Sequence, residues 1–205
     1  MNQSTYEQVL PNGFTLGAVA ERPTAGALMR TGPLVARSTA EEQVRVAVLE
    51  AEDLPEVTAM LGRCSRGTLY KRFHGFTDGV AHASFTIDDA AQDAYGAWSG
   101  GTCVGMASLA ITEEGHGEIG VLVEDAWQRR GAGSALVAAL VERAQQLGLP
   151  GLIADVLADN YFVLPLLARV GAISTTFAYS GYRVRVGLGV PVTAGAVRAD
   201  VPVWN

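Results

Sequence analysis

From Val44 onward the chain alternates short apolar runs with glycine- and proline-marked breaks, and the spacing inside each run assigns an element. Val44-Arg45-Val46-Ala47-Val48-Leu49 alternates with period two and predicts a strand. Ala51-Glu52-Asp53 then opens a helix, with Asp53 as N-cap, Pro55 in the first turn, and Leu54, Val57, Met60 and Leu61 on one face. Ser65 caps a second helix through Thr68, Leu69, Tyr70 and Phe73, which ends near Gly75. Before Val44 the pattern is different. Gly13, Gly17, Pro23, Gly26, Gly32 and Pro33 leave no room for a long periodic element, although Phe14 to Ala20 is apolar enough for an edge strand.

Further on, Asp93–Trp98 and Cys103–Ile111 read as two apolar strands joined by the turn Ser99-Gly100-Gly101-Thr102. A second turn, Glu113 to Gly117, leads into Ile119–Val123, a run rich in β-branched residues. A long helix follows with Leu136, Val137, Leu140, Val141, Ala144 and Leu147 on one broad face, stopped by Gly148 and Pro150. Leu152–Leu157 is another buried strand. Ala158-Asp159-Asn160 opens a short helix to Val170, and Ile173–Ala178 with Tyr182–Gly187 closes as a hairpin. The predicted order is β-α-α-β-β-β-α-β-α-β-β, an α/β (α+β) domain. Residues 1–41 form an extension, 42–190 the folded domain, and 191–205 a tail.

Composition narrows the class. The chain has 205 residues, 49% of them hydrophobic and 18% charged, which predicts a folded core and excludes a disordered chain. No apolar run reaches the roughly 20 residues of a membrane span, and the N-terminus carries no secretory pattern. Cys64 and Cys103, with three histidines at no metal-like spacing, predict a reduced cytoplasmic protein without metal. A formal charge of −6 argues against nucleic acid and suits a cationic amine.

The most informative stretch is Gly117 to Gly148, in which a strand, a glycine-bearing loop and a helix succeed one another. Gln128-Arg129-Arg130-Gly131-Ala132-Gly133-Ser134 leaves N–H groups unpaired at the helix start and adds two arginines, a site suited to a pyrophosphate. It contains no P-loop string. It also lacks the third glycine of a dinucleotide fingerprint, that position being Leu136. With Gln128, Gly131 and Gly133 preceded by Trp127 and a strand ending in valine, it resembles the acyl-CoA loop of the GNAT superfamily of N-acetyltransferases, Q/R-x-x-G-x-G/A. Ser65–Gly75, SRGTLYKRFHG, resembles a shorter segment of the superfamily's protein-lysine acetyltransferases, although an ordinary amphipathic helix accounts for it equally.

The resemblance implies a mixed, mostly antiparallel sheet flanked by helices, over about residues 43 to 188. It implies acetyl-CoA as co-substrate. The strand Ile119–Val123 is expected to splay from Leu152–Leu157, with Val121, Leu122 and Val123 pairing with the pantetheine arm and Arg129 to Ser134 receiving the pyrophosphate. Asn160 takes the place of an asparagine near the cofactor thiol, or caps its helix. Acetyl transfer needs a neutral amine and therefore a base. Glu118 stands where similar lysine acetyltransferases hold a glutamate. Asp155, an ionisable group within an apolar strand, is the competitor, and His116 reads as a solvated turn residue. The tyrosine that many members place seven residues after the asparagine is here Leu167.

Three functions fit these residues: acetylation of a protein lysine, the same chemistry on a small amine or peptide N-terminus, and acyl-CoA sensing without turnover. A monomer and a homodimer fit equally.

Overall fold

The computed structural model describes residues 8–9, 15–16, 34–36, 44–89, 92–178 and 180–189. Strands β1 (Gln8–Val9) and β2 (Thr15–Leu16) pair with each other, and β3 (Leu34–Ala36) lies antiparallel to β4 (Val44–Val48). Three helices follow, α1 (Leu54–Arg63), α2 (Arg66–Phe73) and α3 (Val80–Asp88). Strands β5 (Gln92–Ser99), β6 (Thr102–Ile111) and β7 (Gly117–Val123) form a meander. Helix α4 (Ala132–Gln146), β8 (Gly151–Leu157), α5 (Leu164–Leu167), β9 (Ala172–Ala178) and β10 (Gly181–Gly187) complete the fold. Eight strands make one sheet in the order β3-β4-β5-β6-β7-β8-β10-β9. Every neighbouring pair is antiparallel except β7 with β8.

The sheet has a core on each face. Helix α4 covers one, where Leu136, Val137 and Leu140 pack on Val104, Ala107, Leu109 and Leu152. Helices α1 to α3 cover the other, where Val57, Met60, Leu61 and Ala83 meet Ala94, Cys103, Met106 and Leu122. This two-sided cover explains why β6 is buried along most of its length and reads as a continuous apolar run. At the β5–β6 turn Gly100 (φ +54°) and Gly101 (φ +87°) are both left-handed, as a tight two-residue hairpin demands.

The observed mixed sheet and its flanking helices match the architecture expected from the sequence, with four differences. Helix α3 lies in a stretch for which no element is predicted. It is short and weakly amphipathic, with only Ala83 and Thr86 buried, and Thr77, Asp78 and left-handed Gly79 shape the turn that starts it. Strand β3, from within residues 1–41, joins the sheet edge. Asp53 precedes α1, but its carboxylate accepts the N–H of Glu50 and does not cap α1. The helix expected over Ala158–Val170 is a 3₁₀ segment, Ala158–Val163, followed by the single turn of α5. The tail from Pro191 lies outside the described residues.

Leu136 is fully buried between α4 and the sheet. Leu136→Ala is expected to lower unfolding free energy by about 2–5 kcal/mol in urea titrations.

Candidate active site

Strands β7 and β8 pair through two residue pairs only, Gly117↔Leu152 and Glu118↔Ile153. Each is held along its whole length by its other neighbour, β7 by β6 and β8 by β10. The two strands therefore diverge after Glu118, and the edge of β7 from Ile119 to Val123 faces a gap with unused backbone groups. Of the three residues expected to line that gap, Leu122 buries its side chain on the α1–α3 side, while Val121 and Val123 pack towards α4. The Val123 carbonyl accepts the Gln128 amide at 3.1 Å.

The loop after β7 is stapled to the helices beside it. Buried Glu124 pairs with the Arg63 guanidinium at 3.0 Å, and the same arginine donates to the Cys103 carbonyl. Asp125 accepts the Ser65 N–H and hydroxyl and the Thr68 hydroxyl, all within 2.9 Å. Burial opposes its ionisation, but these hydrogen bonds outweigh that and hold its carboxyl below the usual range. Gln128 donates to Thr68 as well. Ser65 meanwhile caps α2 as the sequence predicts, accepting the Thr68 N–H. Sequence reading missed these staples. Their signal was an acidic pair in a connector directly after an apolar strand.

Arg129 (φ +60°) and Gly131 (φ +93°) are both left-handed and turn the chain into α4. The first backbone bond of the helix runs from Ala135 N–H to Gly131 C=O, so the N–H groups of Ala132, Gly133 and Ser134 precede it. Left-handed residues interleaved with a helix N-terminus form an anion-binding concavity. Arg130 lies over the Trp127 ring at 5.5 Å, and Arg129 is exposed. These residues fit a phosphate-bearing ligand.

Glu118 is exposed at the point where β7 and β8 part. A cavity of about 390 Å³ opens beside it, lined by Arg72, Phe73, His82, Phe85 and Ser108 among others. Asp155 is placed elsewhere in its chemistry. Arg183, its register partner on β10, grips both carboxylate oxygens at 2.9 and 2.8 Å and lowers its pKa. Asn160 lies inside the 3₁₀ segment with φ −106°, ψ 22°, half-buried, and caps no helix. Leu167 is a core residue, 2% exposed. His116 stands in the turn before β7. Burial pushes the Cys64 and Cys103 thiols up to about 12 and about 11, which removes them as thiolate nucleophiles at neutral pH.

Asp155 generates a pH test. Its folded-state pKa lies below the ordinary 3.8, so the ion pair stabilises above that pH and is lost as pH falls through the lower folded value. Asp155→Asn should melt earlier than wild type at pH 7. The difference should close below pH 3.8, as followed by circular dichroism.

Comparison with known proteins agrees with this geometry. The model of the acetyltransferase (GNAT) family matches residues 65–172. Acetyltransferase Pat of Mycolicibacterium smegmatis is 31% identical over 145 residues, covering 67% of this chain and 40% of that protein. The chain thus spans less than half the length of this curated relative. The GNAT domain of S. lividans PAT superimposes with a TM-score of 0.64 at 20% identity, over 71% of this chain and 91% of that one. The PaiA N-acetyltransferase of Thermoplasma acidophilum, solved in complex with coenzyme A, gives 0.56 at 12%, over 70% and 98%. On the family match, the splayed strands and the loop between β7 and α4, the chain belongs to the GNAT acetyltransferase family.

Proposed function

We propose that the protein is an acetyl-CoA-dependent N-acetyltransferase whose acceptor is the side-chain amine of a protein lysine. The observation that carries this reading is the parting of β7 from β8 at Glu118, with an anion-binding loop at one end of the opening and a cavity at the other. The lysine acceptor is supported by the similarity to Pat and by the α2 segment that lines the cavity. The same cavity would admit a small amine.

Acetyl-CoA supplies an acetyl group activated as a thioester. Ala132, Gly133 and Ser134 bind its pyrophosphate through backbone N–H groups, with Arg129 and Arg130 adding charge. The backbone edge of β7 from Val121 to Val123 pairs with the amides of its arm, through groups other than the Val123 carbonyl that Gln128 occupies. Gln128 acts indirectly, bracing the loop through the Val123 carbonyl and Thr68. Asn160, with no side-chain hydrogen bond to a described residue, is available to the thiol end.

A lysine amine has a pKa of about 10.4 and arrives as ammonium. Glu118 takes one proton from it, directly or through one water; the freed nitrogen pair forms the C–N bond as the C–S bond breaks, and the second proton leaves the nitrogen for water as the amide forms. Glu118 suits this role better than Asp155, both of whose oxygens accept from Arg183. The leaving group departs as a thiolate, since Leu167 has no proton to give and lies in the core. A thiol of pKa about 8.5 makes that departure feasible.

Two measurements test the reading. A Cβ at Gly133 meets only Val123 and Leu166 side chains at ordinary distances, so Gly133→Asp should fold, yet its carboxylate stands where the pyrophosphate binds. Calorimetry should detect no acetyl-CoA binding; affinity equal to wild type in the folded variant would remove the proposal. Glu118→Gln should lower turnover by about 10²–10⁴-fold with acetyl-CoA affinity unchanged. The loss should shrink at high pH, where more of the amine is neutral. Full activity in Glu118→Gln would take the base role away from this residue.

A further inference from the structure

Arg72, at the end of α2, reaches over the sheet and lays its guanidinium on the backbone of Gly120. A Cβ at that position would run into the guanidinium, so the absence of a side chain at Gly120 is what admits Arg72 to the sheet surface. Nη2 donates to buried Ser108 at 3.0 Å, the one hydrogen bond the group makes among the described residues. Nε is sealed from solvent and has no acceptor. Phe73 stacks at 5.0 Å from the guanidinium carbon. A group with five N–H donors in a fixed fork is normally matched by a carboxylate when it is buried. Here the acid whose charge acts on it is Glu118, with which it forms no ion pair, and which the acceptor amine needs.

Both groups line the cavity of about 390 Å³ beside β7. Glu118 and Gly120 are two residues apart on one strand, so the acid and the arginine resting on Gly120 point to the same face of the sheet, roughly 7 Å apart along it. A cation and an anion set at that spacing in a cavity walled by Phe73, Phe85 and Ile119 complement a molecule with the opposite pair. Building on the acetyltransferase reading, we propose that the acceptor carries a carboxylate a few ångströms from its reacting amine, and that Arg72 binds this carboxylate while Glu118 receives the ammonium. That carboxylate belongs either to an acidic side chain beside the target lysine or to the α-carboxyl of a free amino acid. The recognition chemistry is the same for both. Arg72 is thereby a specificity-determining residue, and Gly120 the residue that positions it.

Matched acceptors test this with the full chain. One arm compares lysine peptides with aspartate or asparagine next to the lysine; the other compares free amino acids with their amides. Acetylation kinetics on wild type should give at least a tenfold lower KM for the carboxylate-bearing member in one arm, and that arm identifies the source. Arg72→Gln should erase the preference while acetyl-CoA affinity is kept, and Arg72→Lys should keep part of it. Gly120→Ala should behave like Arg72→Gln by evicting the guanidinium, and it decides the matter if Arg72→Gln proves unfolded by circular dichroism. Equal KM for both members of each pair on wild type overturns the inference. So does a preference that survives Arg72→Gln, or a uniform fall in kcat with unchanged discrimination. If no amine is turned over, acetyl transfer itself fails. The anion site is then judged by calorimetric binding of the same pairs to CoA-saturated protein, where equal affinities overturn it.

Discussion

The constraint on which the site depends is the shortness of the β7–β8 pairing. Each strand is locked along its full length to its outer neighbour, β7 to β6 and β8 to β10. Neither can rotate to extend the two pairs they share without breaking a complete antiparallel ladder. The gap is therefore a fixed property of the sheet, and backbone groups along β7 remain available without any rearrangement. Helix α4 packs beneath this region through Ala132, Ala135 and Leu136, which aims its N-terminus at one end of the opening. Strand divergence and helix direction together place backbone donors beside a gap, where side chains alone would be too long and too mobile to hold such geometry.

The connector between β7 and α4 links the two sides of this arrangement. Glu124 holds α1 through Arg63, Asp125 holds the start of α2 through Ser65 and Thr68, and Gln128 holds both Thr68 and the end of β7. Helix α2 thus begins pinned to the loop and ends, two turns later, with Arg72 on Gly120. The loop that fits phosphate and the arginine that lines the cavity are consequently parts of one braced unit. Hydrogen bonds to the ionised Asp125 carboxylate are stronger than neutral ones, which suits a residue carrying three of them near the surface.

Much of this was legible in the sequence, and the reason differs from element to element. Helix α4 announced itself by a broad apolar face over four turns, and the loop by glycines flanked by glutamine and arginine. Both signals are local. Helix α3 was illegible because it buries only Ala83 and Thr86 and so carries almost no periodicity. Asp155 stood out as a charge in an apolar strand, but its meaning depended on Arg183, which pairing across β8 and β10 brings opposite from 28 positions away. Arg72 stood in Ser65–Gly75, a segment that resembles protein-lysine acetyltransferases but that an ordinary amphipathic helix accounts for equally. The seat of its guanidinium on the sheet depends on Gly120, a glycine on another element 48 positions later, and no spacing rule connects the two.

Leu167 shows how a departure from the family pattern is absorbed. The residue lies in the core beside Val163, Leu164 and Leu166, where a buried hydroxyl would need a hydrogen-bond partner that this apolar cluster lacks. Leucine at that position therefore stabilises the docking of α5 on the sheet and removes a proton donor from the opening. A thiolate is a far better leaving group than the amine it is exchanged for, so the reaction loses less by lacking an acid than it would by lacking a base. The chemical demand on the site then falls on the acceptor side, where an ammonium must lose a proton before it can react. In the function proposed above, Glu118, Arg72 and the cavity they line serve that side.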